Sequence, residues 1–302
     1  MVKAALFAAS MALAACSCGG GGNSGSPNGG SAGDFEITTG IYVAGGYQST
    51  AAGNVACLWK VTEKDETVVA VKKELPGNAV ANALVFYNDT IYVAGALVDA
   101  STGAKSACYW TIGKDGTVAR HALDGVEATS VTVDMLTDAG SVYFGGHYMY
   151  SATVKAACWW QLSGGSATRY DLMDGDRELS YATDIKIADG VIYASGVYSY
   201  SGAVTAAMWR MIDDSSGMRR RLVDDNLGDE GTSIFVTDPD SYSLECVYMA
   251  GYRNDPGPLG SYWKWDMDSA TVTRTDLNAS GDTNASKAYS IFADGEAVYT
   301  TG

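Results

Sequence analysis

The side chains that most often perform catalysis are sparse in this sequence. It contains two histidines, His121 and His147, and neither stands near residues that suggest a nucleophilic triad or a metal cluster. No Walker phosphate loop and no His-Glu-x-x-His zinc motif occurs. The sequence therefore predicts no catalytic residue, no metal site and no cofactor.

Carboxylates are more frequent, and two groups of them are candidates for chemistry. Asp174, Asp176 and Glu178 weakly resemble a calcium loop, but the loop length and the later bidentate Glu are missing, which favours a solvated turn. Asp184 lies on a predicted strand, and it is the one carboxylate that we expect to point toward the central channel of the ring-shaped fold predicted below. A single carboxylate is thin support for acid–base catalysis.

A short aromatic motif recurs along the chain, and its spacing indicates which strands position these residues. Its second residue is a tyrosine, and successive copies lie about 50 residues apart. The six copies are Ile41–Gly45, Ile91–Gly95, Val142–Gly146, Ile192–Gly196, Val247–Gly251 and Val298–Gly302. The first five are each followed by a tryptophan, at Trp59, Trp110, Trp160, Trp209 and Trp263. A fixed period of this length is typical of a propeller or a solenoid.

Each repeat has the pattern of four short strands. Runs of β-branched and aromatic residues are separated by Gly, Asp, Asn and Ser, which are strand and hairpin signals. On one third strand, alternation places mainly apolar residues on both faces, with Cys108, Trp110 and Ile112 on one and Ala107, Tyr109 and Thr111 on the other. Such a strand is expected where a sheet packs between two neighbours. The predicted fold is all-β: a β-propeller of four-stranded antiparallel blades over residues 35–302.

The number of blades depends on how the ring closes. Five repeats have complete third and fourth strands, and first strands are recognised at Val80–Tyr87, Thr129–Leu136, Thr183–Ala188, Thr232–Asp238 and Lys287–Ala293. The first repeat has no clear first strand, so we predict that Lys287–Ala293 fills its place and closes a five-bladed ring. The alternative is an incomplete six-bladed ring, in which Val298–Gly302 is the second strand of the sixth blade.

Three cysteines, Cys57, Cys108 and Cys158, occupy the same position in successive repeats. Packed sheets lie about 10 Å apart, whereas bridged cysteines need Cα atoms within about 7 Å of each other. These cysteines are therefore predicted to be free, buried and small, and Ala207 and Ser261 at the matching positions agree with this. Equivalent positions around a ring diverge, which argues against a shared metal site.

One end of the predicted ring is the candidate binding face. The loops between strands two and three are rich in tyrosine, and the connections between blades, which open on the same end, are acidic. The predicted ligand-binding residues are Tyr47, Tyr148, Tyr150, Tyr198, Tyr200, Tyr252, Asp176, Glu178 and Asp225. Tyrosines on scaffolded loops provide rigid contact area, suited to a cationic protein segment or a glycan. The simpler interpretation is that the tyrosines pack on neighbouring blades and the acids face water.

The N-terminus has the features of an export signal. Residues 1–16 contain one lysine, Lys3, followed by an apolar run that is too short to span a bilayer as a mature helix. Leu13-Ala14-Ala15-Cys16 resembles the bacterial lipobox, and this implies cleavage before Cys16 and its acylation. Residues 17–34 are mostly Gly and Ser and are predicted to be a flexible tether. No Asp follows Cys16, which favours the outer membrane.

Overall charge limits the partners. The formal net charge of −15 argues against nucleic acid, since a phosphate backbone is bound by clustered Lys and Arg. An acidic surface favours solubility and, in some proteins, a cationic partner. We expect a monomer that contacts the membrane through its N-terminal lipid.

The combination of a YVAG-type motif, an ACYW-type segment such as Ala107-Cys108-Tyr109-Trp110, a lipobox and a Gly-rich tether resembles the uncharacterised bacterial lipoproteins with tandem β-propeller repeats. The resemblance covers residues 1–302 and implies an architecture more than an activity, because propellers host many functions. The predicted function is a lipid-anchored binding module of the cell envelope. A glycan-directed enzyme with a site at the propeller mouth and a purely structural envelope protein are the alternatives.

Overall fold

The computed structural model describes most of the region after the tether. The described residues are 35–38, 40–50, 53–64, 67–133, 141–172, 179–188, 190–200, 203–211, 217–221, 228–237, 246–254, 257–277, 285–293 and 297–302. Their strands, in chain order, are β1 (Ile41–Ser49), β2 (Gly53–Lys64), β3 (Thr67–Tyr87), β4 (Thr90–Val98), β5 (Lys105–Ile112), β6 (Val118–Ala122), β7 (Glu127–Val133), β8 (Val142–Met149), β9 (Lys155–Ser163), β10 (Ser166–Asp171), β11 (Ser180–Ala188), β12 (Val191–Tyr200), β13 (Ala203–Met211), β14 (Gly217–Arg221), β15 (Glu230–Val236), β16 (Cys246–Arg253), β17 (Leu259–Asp266), β18 (Thr271–Asp276), β19 (Ser290–Ala293) and β20 (Val298–Thr301). This confirms the all-β prediction. In this part of the chain no helix has the length and apolarity needed to cross a bilayer.

Strands that follow each other in the chain pair antiparallel, as short connections require. Strands β7–β10, β11–β14 and β15–β18 form three four-stranded sheets, and β19 pairs with β20. Strands β1–β6 form one continuous sheet, because β3 pairs with β2 as far as Asn78 and with β4 from Ala79 onward. The strand changes partner next to Gly77, whose φ of 111° is a conformation that glycine adopts without strain. Strand β3 thus ends a three-stranded first unit and begins a four-stranded second one.

Successive sheets lie face to face in chain order. The first strand of each sheet contacts the sheet before it: β7 contacts β3, β4 and β5, β11 contacts β7, β8 and β9, β15 contacts β11, β12 and β13, and β19 contacts β15 and β16. Five buried clusters fill the spaces between successive units: one lies between the two units of the β1–β6 sheet, and four lie between neighbouring sheets. Trp110 enters one cluster and its neighbour Tyr109 the next, so the predicted burial of both faces of β5 is confirmed.

A β-bulge recurs in the first strand of each four-stranded unit. The residues that the bulges leave unpaired are Asn82, Thr129, Thr183 and Thr232. Each donates a side-chain hydrogen bond to a carbonyl of the following sheet, with distances of 2.9 Å to Ala128, 2.9 Å to Ala182, 2.8 Å to Gly231 and 2.6 Å to Ala288, in that order. A hydrogen bond of this kind contributes about 1 kcal/mol, so the series fixes how the inner edges of neighbouring sheets align.

The strand pairing predicted to close a five-bladed ring is wrong. Residues 287–293 were expected to pair with the first repeat, but β19 pairs with β20 in the register Ala293 to Val298. A short connection brings two strands together at a small entropic cost, which favours this local hairpin. Strand β1 remains an edge strand. Its Ile41 is 68% exposed, whereas Ile91 at the same repeat position is 0% exposed.

Candidate functional site

A cavity of about 410 Å³ lies where four of the five sheets approach one another. This volume is within the range of small-molecule sites, about 300–1,000 Å³. We call it the inner cavity. Its lining residues are Ala44, Gly45, Ala81, Asn82, Glu127, Thr129, His147, Lys155, Tyr181, Thr183 and Glu230.

The repeat itself places the polar groups of the inner cavity. Glu127, Tyr181 and Glu230 occupy the same repeat position, two residues before the bulge residue of β7, β11 and β15. Thr129 and Thr183, which also line the cavity, are bulge residues themselves. Bulges change the direction of side chains along a strand and often occur next to functional sites. Stacking of the sheets thus converts one position of the repeat into a row of polar side chains.

The negative charge of Glu127 is balanced by a neighbour. The ammonium group of Lys105 lies 2.8 Å from both carboxylate oxygens. Asn82 Nδ2 also donates to Glu127 Oε1 at 3.1 Å. The Glu127 side chain is only 15% exposed, so this ion pair is partly desolvated. Glu127 therefore adds little net charge to the cavity.

The carboxylate of Glu230 is in a different situation. Tyr252 donates its hydroxyl hydrogen to Glu230 Oε2 at 2.6 Å. Burial and this hydrogen bond raise the pKa of Tyr252, so the phenol stays protonated at neutral pH. Within the described part of the chain, Glu230 has no ion-pair partner. It brings a negative charge without an ion-pair partner to the wall; the Lys287 ammonium stacks on the Tyr252 ring, 3.9 Å from its centroid.

Tyr181 lies between a cation and a buried imidazole. Lys155 Nζ is 6.0 Å from the centroid of the Tyr181 ring. The His147 ring meets the Tyr181 ring edge to face, with a centroid distance of 6.1 Å. Burial and, to a smaller extent, the charge of Glu230 raise the pKa of Tyr181 to about 12. The phenol is therefore neutral at physiological pH.

His147 is the least satisfied polar group on the cavity wall. The residue is 4% exposed, and neither ring nitrogen has a hydrogen-bond partner among the described residues. Burial and the positive charge of Lys155 lower the pKa of His147 to about 4, so the ring is neutral at pH 7. A buried polar group without a partner costs about 1–3 kcal/mol. Such exceptions are rare in folded proteins and require a specific explanation.

The tyrosines predicted to bind a ligand do not share one environment. Tyr148 and Tyr198 are 8% and 1% exposed, so their rings belong to the core and not to a contact face. Both lie within strands, β8 and β12, which extend beyond the predicted strand ends. Tyr47 and Tyr150 are 41% and 42% exposed. Of the predicted tyrosines whose side chains the structure describes, Tyr252 alone reaches the inner cavity, through its bond to Glu230.

Two of these tyrosines form a repeated contact at the outer strands. The hydroxyl of Tyr148 donates to Asp171 Oδ2 at 2.9 Å, and the Arg169 guanidinium lies 3.8 Å from the ring centroid. At the equivalent position in the first repeat, Tyr47 donates to Glu74 Oε1 at 2.7 Å, with Lys72 Nζ 4.5 Å from the ring centroid. These contacts connect second strands to fourth strands and place a basic side chain, Arg169 or Lys72, on the tyrosine ring.

Several predicted residues cannot be placed. Asp176, Glu178, Asp225 and Cys16 lie outside the described residues, as do Asp174 and the side chain of Tyr200.

Asp184, the predicted inward carboxylate, has a structural role in this fold. Its Oδ1 accepts a hydrogen bond from the backbone N–H of Ile185 at 2.8 Å. Its Oδ2 accepts from Ser233 Oγ and from the backbone N–H of Ile234, both at 3.1 Å. Asp184 thus ties β11 to β15, and it does not line the inner cavity.

The cysteines are buried, as predicted. Cys57, Cys108, Cys158 and Cys246 are buried free thiols. Burial raises the pKa of Cys57 to about 11 and that of Cys108 to about 12, so neither forms a thiolate at neutral pH. No group of three or more His, Cys, Asp or Glu side chains in the described ranges is arranged to hold a metal.

The sequence patterns did not assign His147, Lys155 or Tyr181 to a site, and Glu230 belonged only to the acidic connections of the predicted binding face. One available signal was departure from the repeat, because the position after the motif glycine is Gly46, Ala96 and Val197 elsewhere but His147 in the third repeat. In the fifth repeat the same position holds Tyr252, the hydrogen-bond partner of Glu230. Places where a residue breaks the local rule are often functional sites.

Comparison with known proteins identifies a similar fold but no family. No family model matches the sequence, and no curated protein is detectably similar. Among solved structures, the chain is similar to the phage phi92 endosialidase, with a TM-score of 0.58 and 10% sequence identity. The match covers 88% of this chain and 60% of that chain, so this chain spans little more than half the length of the endosialidase. At this identity the likeness concerns the fold alone.

Proposed function

We propose that this protein is a lipid-anchored envelope protein whose β-propeller domain binds a small ligand in the inner cavity. The observation that carries the proposal is the convergence of Glu230, Tyr181 and Lys155, from three successive sheets, on one cavity beside the buried and unpartnered His147. A cavity with a few converging polar groups is the usual form of a ligand site. The inner cavity replaces the loop face as the main candidate.

The finer fold that we propose is a six-bladed propeller in which the first and last blades are incomplete within residues 35–302. The geometry of β19 and β20 supports it. A Cβ on Gly302 would lie 1.9 Å from the carbonyl oxygen of Lys287. In the preceding sheet, a Cβ on the equivalent Gly251 would lie 2.0 Å from the carbonyl oxygen of Glu230. The last two strands therefore repeat the inner half of the preceding sheet.

Engineered disulfides distinguish this arrangement from a five-bladed ring. Ser290 pairs with Thr301. If β19 joined β1 instead, in the register of the other sheets, Ser290 would lie opposite Ala44. We expect Ser290→Cys/Thr301→Cys to form a disulfide under mild oxidation and Ser290→Cys/Ala44→Cys to remain reduced. Efficient bridging in the second variant would establish five blades instead.

Membrane attachment is proposed to depend on Cys16, the lipobox cysteine. Two or more acyl chains hold a protein stably on a membrane, and residues 17–34 would then separate the domain from the lipid. In a bacterial host, Cys16→Ser should abolish incorporation of labelled palmitate and release the protein from the outer-membrane fraction. Cys18→Ser is the matched control and should retain both properties. Palmitate labelling of the Cys16 variant would refute the anchor.

Ligand binding can be tested by a thermal-shift screen against amino acids, neutral and acidic sugars, and polyamines, followed by calorimetry. We expect Tyr181→Ala to lose binding by at least tenfold. Tyr150→Ala, which alters an exposed tyrosine of the predicted loop face, should bind normally. Loss of binding in the Tyr150 variant alone would return the site to the loop face, and the absence of any stabilising compound would remove support for a cavity ligand.

A glycan-directed enzyme is the second candidate. The similar phage phi92 protein is an endosialidase, and the inner cavity holds two carboxylates, Glu127 and Glu230. Pairs of carboxylates perform most glycoside hydrolysis. An anionic sialic acid would face both carboxylates, and Lys155 is the one cation among the lining residues. This charge balance favours an uncharged sugar as substrate. Release of reducing ends from neutral oligosaccharides, lost in Glu230→Gln, would support an enzyme.

A further inference from the structure

We propose that the ligand of the inner cavity is a small zwitterion, such as a free amino acid or a dipeptide. This inference rests on the proposed function and adds the chemical class of the ligand. Its basis is that the cavity wall carries two opposite charges, Lys155 and Glu230, that no described residue neutralises.

Lys155 supplies the positive end. It begins β9, in the second of the stacked sheets, and its ammonium forms no ion pair with the residues that the structure describes. Its Nζ lies 6.0 Å from the centroid of the Tyr181 ring. An ammonium in this position attracts a carboxylate, and charge-assisted hydrogen bonds are about twice as strong as neutral ones.

Glu230 supplies the negative end, two sheets further along. One of its oxygens accepts the Tyr252 hydroxyl, and no described cation forms an ion pair with it. The sheet between the two charges contributes Tyr181, which is half-buried and lines the same cavity. The wall thus presents an ammonium, an aromatic ring and a carboxylate on three successive sheets.

This arrangement favours a zwitterion over ligands of other charge. A cationic ligand would be attracted by Glu230 and repelled by Lys155, and the reverse holds for an anionic ligand. An uncharged sugar would displace water from both charges without neutralising either, which is costly in a partly enclosed site. The remaining carboxylate, Glu127, is already paired with Lys105. A ligand with one ammonium and one carboxylate leaves no charge unmatched.

The experiment compares free and blocked forms of one ligand. L-Leucine, L-phenylalanine, L-glutamine and glycyl-L-phenylalanine are titrated into the protein by calorimetry, and the best binder is then tested as its N-acetyl and methyl ester derivatives. We expect 1:1 binding of the free form and at least tenfold weaker binding of each blocked form, because each derivative loses one charge pair.

Charge-removing variants assign each end of the ligand. Lys155→Gln should weaken binding of the free ligand at least tenfold. It should not weaken binding of the methyl ester, which has no carboxylate and whose ammonium Lys155 repels. Glu230→Gln should weaken binding of the free ligand equally. It should not weaken binding of the N-acetyl derivative, whose carboxylate Glu230 repels. Lys114→Gln, in an exposed turn, is the matched control and should behave as wild type. Melting temperatures within a few degrees of wild type confirm that each variant is folded.

The outcomes separate this inference from the proposed function. Equal affinity of free and blocked forms would overturn the zwitterion and leave the cavity as a site. The same conclusion would follow if only cellobiose or spermidine bound and Tyr181→Ala abolished that binding. If no amino acid, dipeptide, sugar or polyamine bound, both the zwitterion and the cavity site would be rejected.

Discussion

Gly95 lies directly against the carbonyl oxygen of Val80, so that a Cβ on Gly95 would be 2.0 Å from that oxygen. Gly95 ends one copy of the aromatic motif, and Val80 begins the bulged part of the neighbouring strand. The motif glycines Gly146, Gly196 and Gly251 have the same relationship with first-strand carbonyls, at 2.1, 2.1 and 2.0 Å. Close approach of two backbones therefore explains why the motif ends in glycine.

Replacing one of these glycines should disrupt its sheet. Gly95→Ala is expected to lower the free energy of unfolding by about 3 kcal/mol, because backbone on both strands must shift to make room. Gly45→Ala is the matched control, since its Cβ would meet only the Trp59 ring, at 3.2 Å. We expect the Gly45 variant to lose less than about 1 kcal/mol in urea denaturation. An equal loss in both variants would mean that a further strand lies against β1.

The hydrogen bonds from bulge residues to the next sheet should contribute measurably to stability. Thr183→Val keeps the side-chain shape and removes the bond to the Gly231 carbonyl, 2.8 Å long. We expect a loss of about 1–2 kcal/mol, because a buried carbonyl loses its partner. Thr273→Val, at an exposed position of β18, should change stability by less than about 0.5 kcal/mol. Indistinguishable urea midpoints would show that the Thr183 bond contributes nothing.

His147 should limit stability at neutral pH. His147→Phe is expected to raise the free energy of unfolding by about 1 kcal/mol, because two unpaired ring nitrogens leave the interior. The other histidine provides a control. His121 stacks on Tyr109 at 4.6 Å and contacts Thr111 Oγ1 at 3.1 Å, so His121→Phe should bring no gain. A destabilised His147 variant would indicate that its ring nitrogens do have partners in solution.

The same residue should make stability depend on pH. The pKa of His147 is lowered from 6.5 to about 4 in the folded protein, so the unfolded chain binds the proton more tightly between these values. Stability is then complete above about pH 6.5 and is lost as pH falls to about 4, by about 3 kcal/mol in total. Because carboxylates also titrate there, the test is the difference between wild type and His147→Phe at each pH. Parallel curves would contradict the lowered pKa.

The repeat cysteines should be unreactive in the folded protein. Cys57, Cys108 and Cys158 are 0%, 1% and 0% exposed, and burial raises the pKa of each thiol. Because the thiolate is the reactive form, we expect these positions to resist iodoacetamide at pH 8 and to react fully in urea. Peptide mass spectrometry measures each site separately. Rapid labelling of Cys158 without denaturant would contradict the described core.

Local features were predictable because they depend on residues close in sequence. The alternation that sends Trp110 to one interface and Tyr109 to the next is a property of a single strand. The burial of Cys108 followed from its place on the same strand. The burial of Tyr148 and Tyr198 agrees with the simpler interpretation, in which the tyrosines pack on neighbouring sheets, and not with the predicted contact face. The strands continue where a loop is expected and carry both rings into the core.

The sequence by itself determined that the chain is all-β, that its units repeat about every 50 residues, and where its buried tryptophans and cysteines lie. Only the tertiary structure decided that Lys155, Tyr181 and Glu230 share a cavity and that Asp184 ties two sheets together. The reason is the range of the interactions. Strand alternation acts over two residues, whereas convergence of side chains depends on contacts between sheets, such as that from Thr183 to Gly231, which form only when the sheets stack.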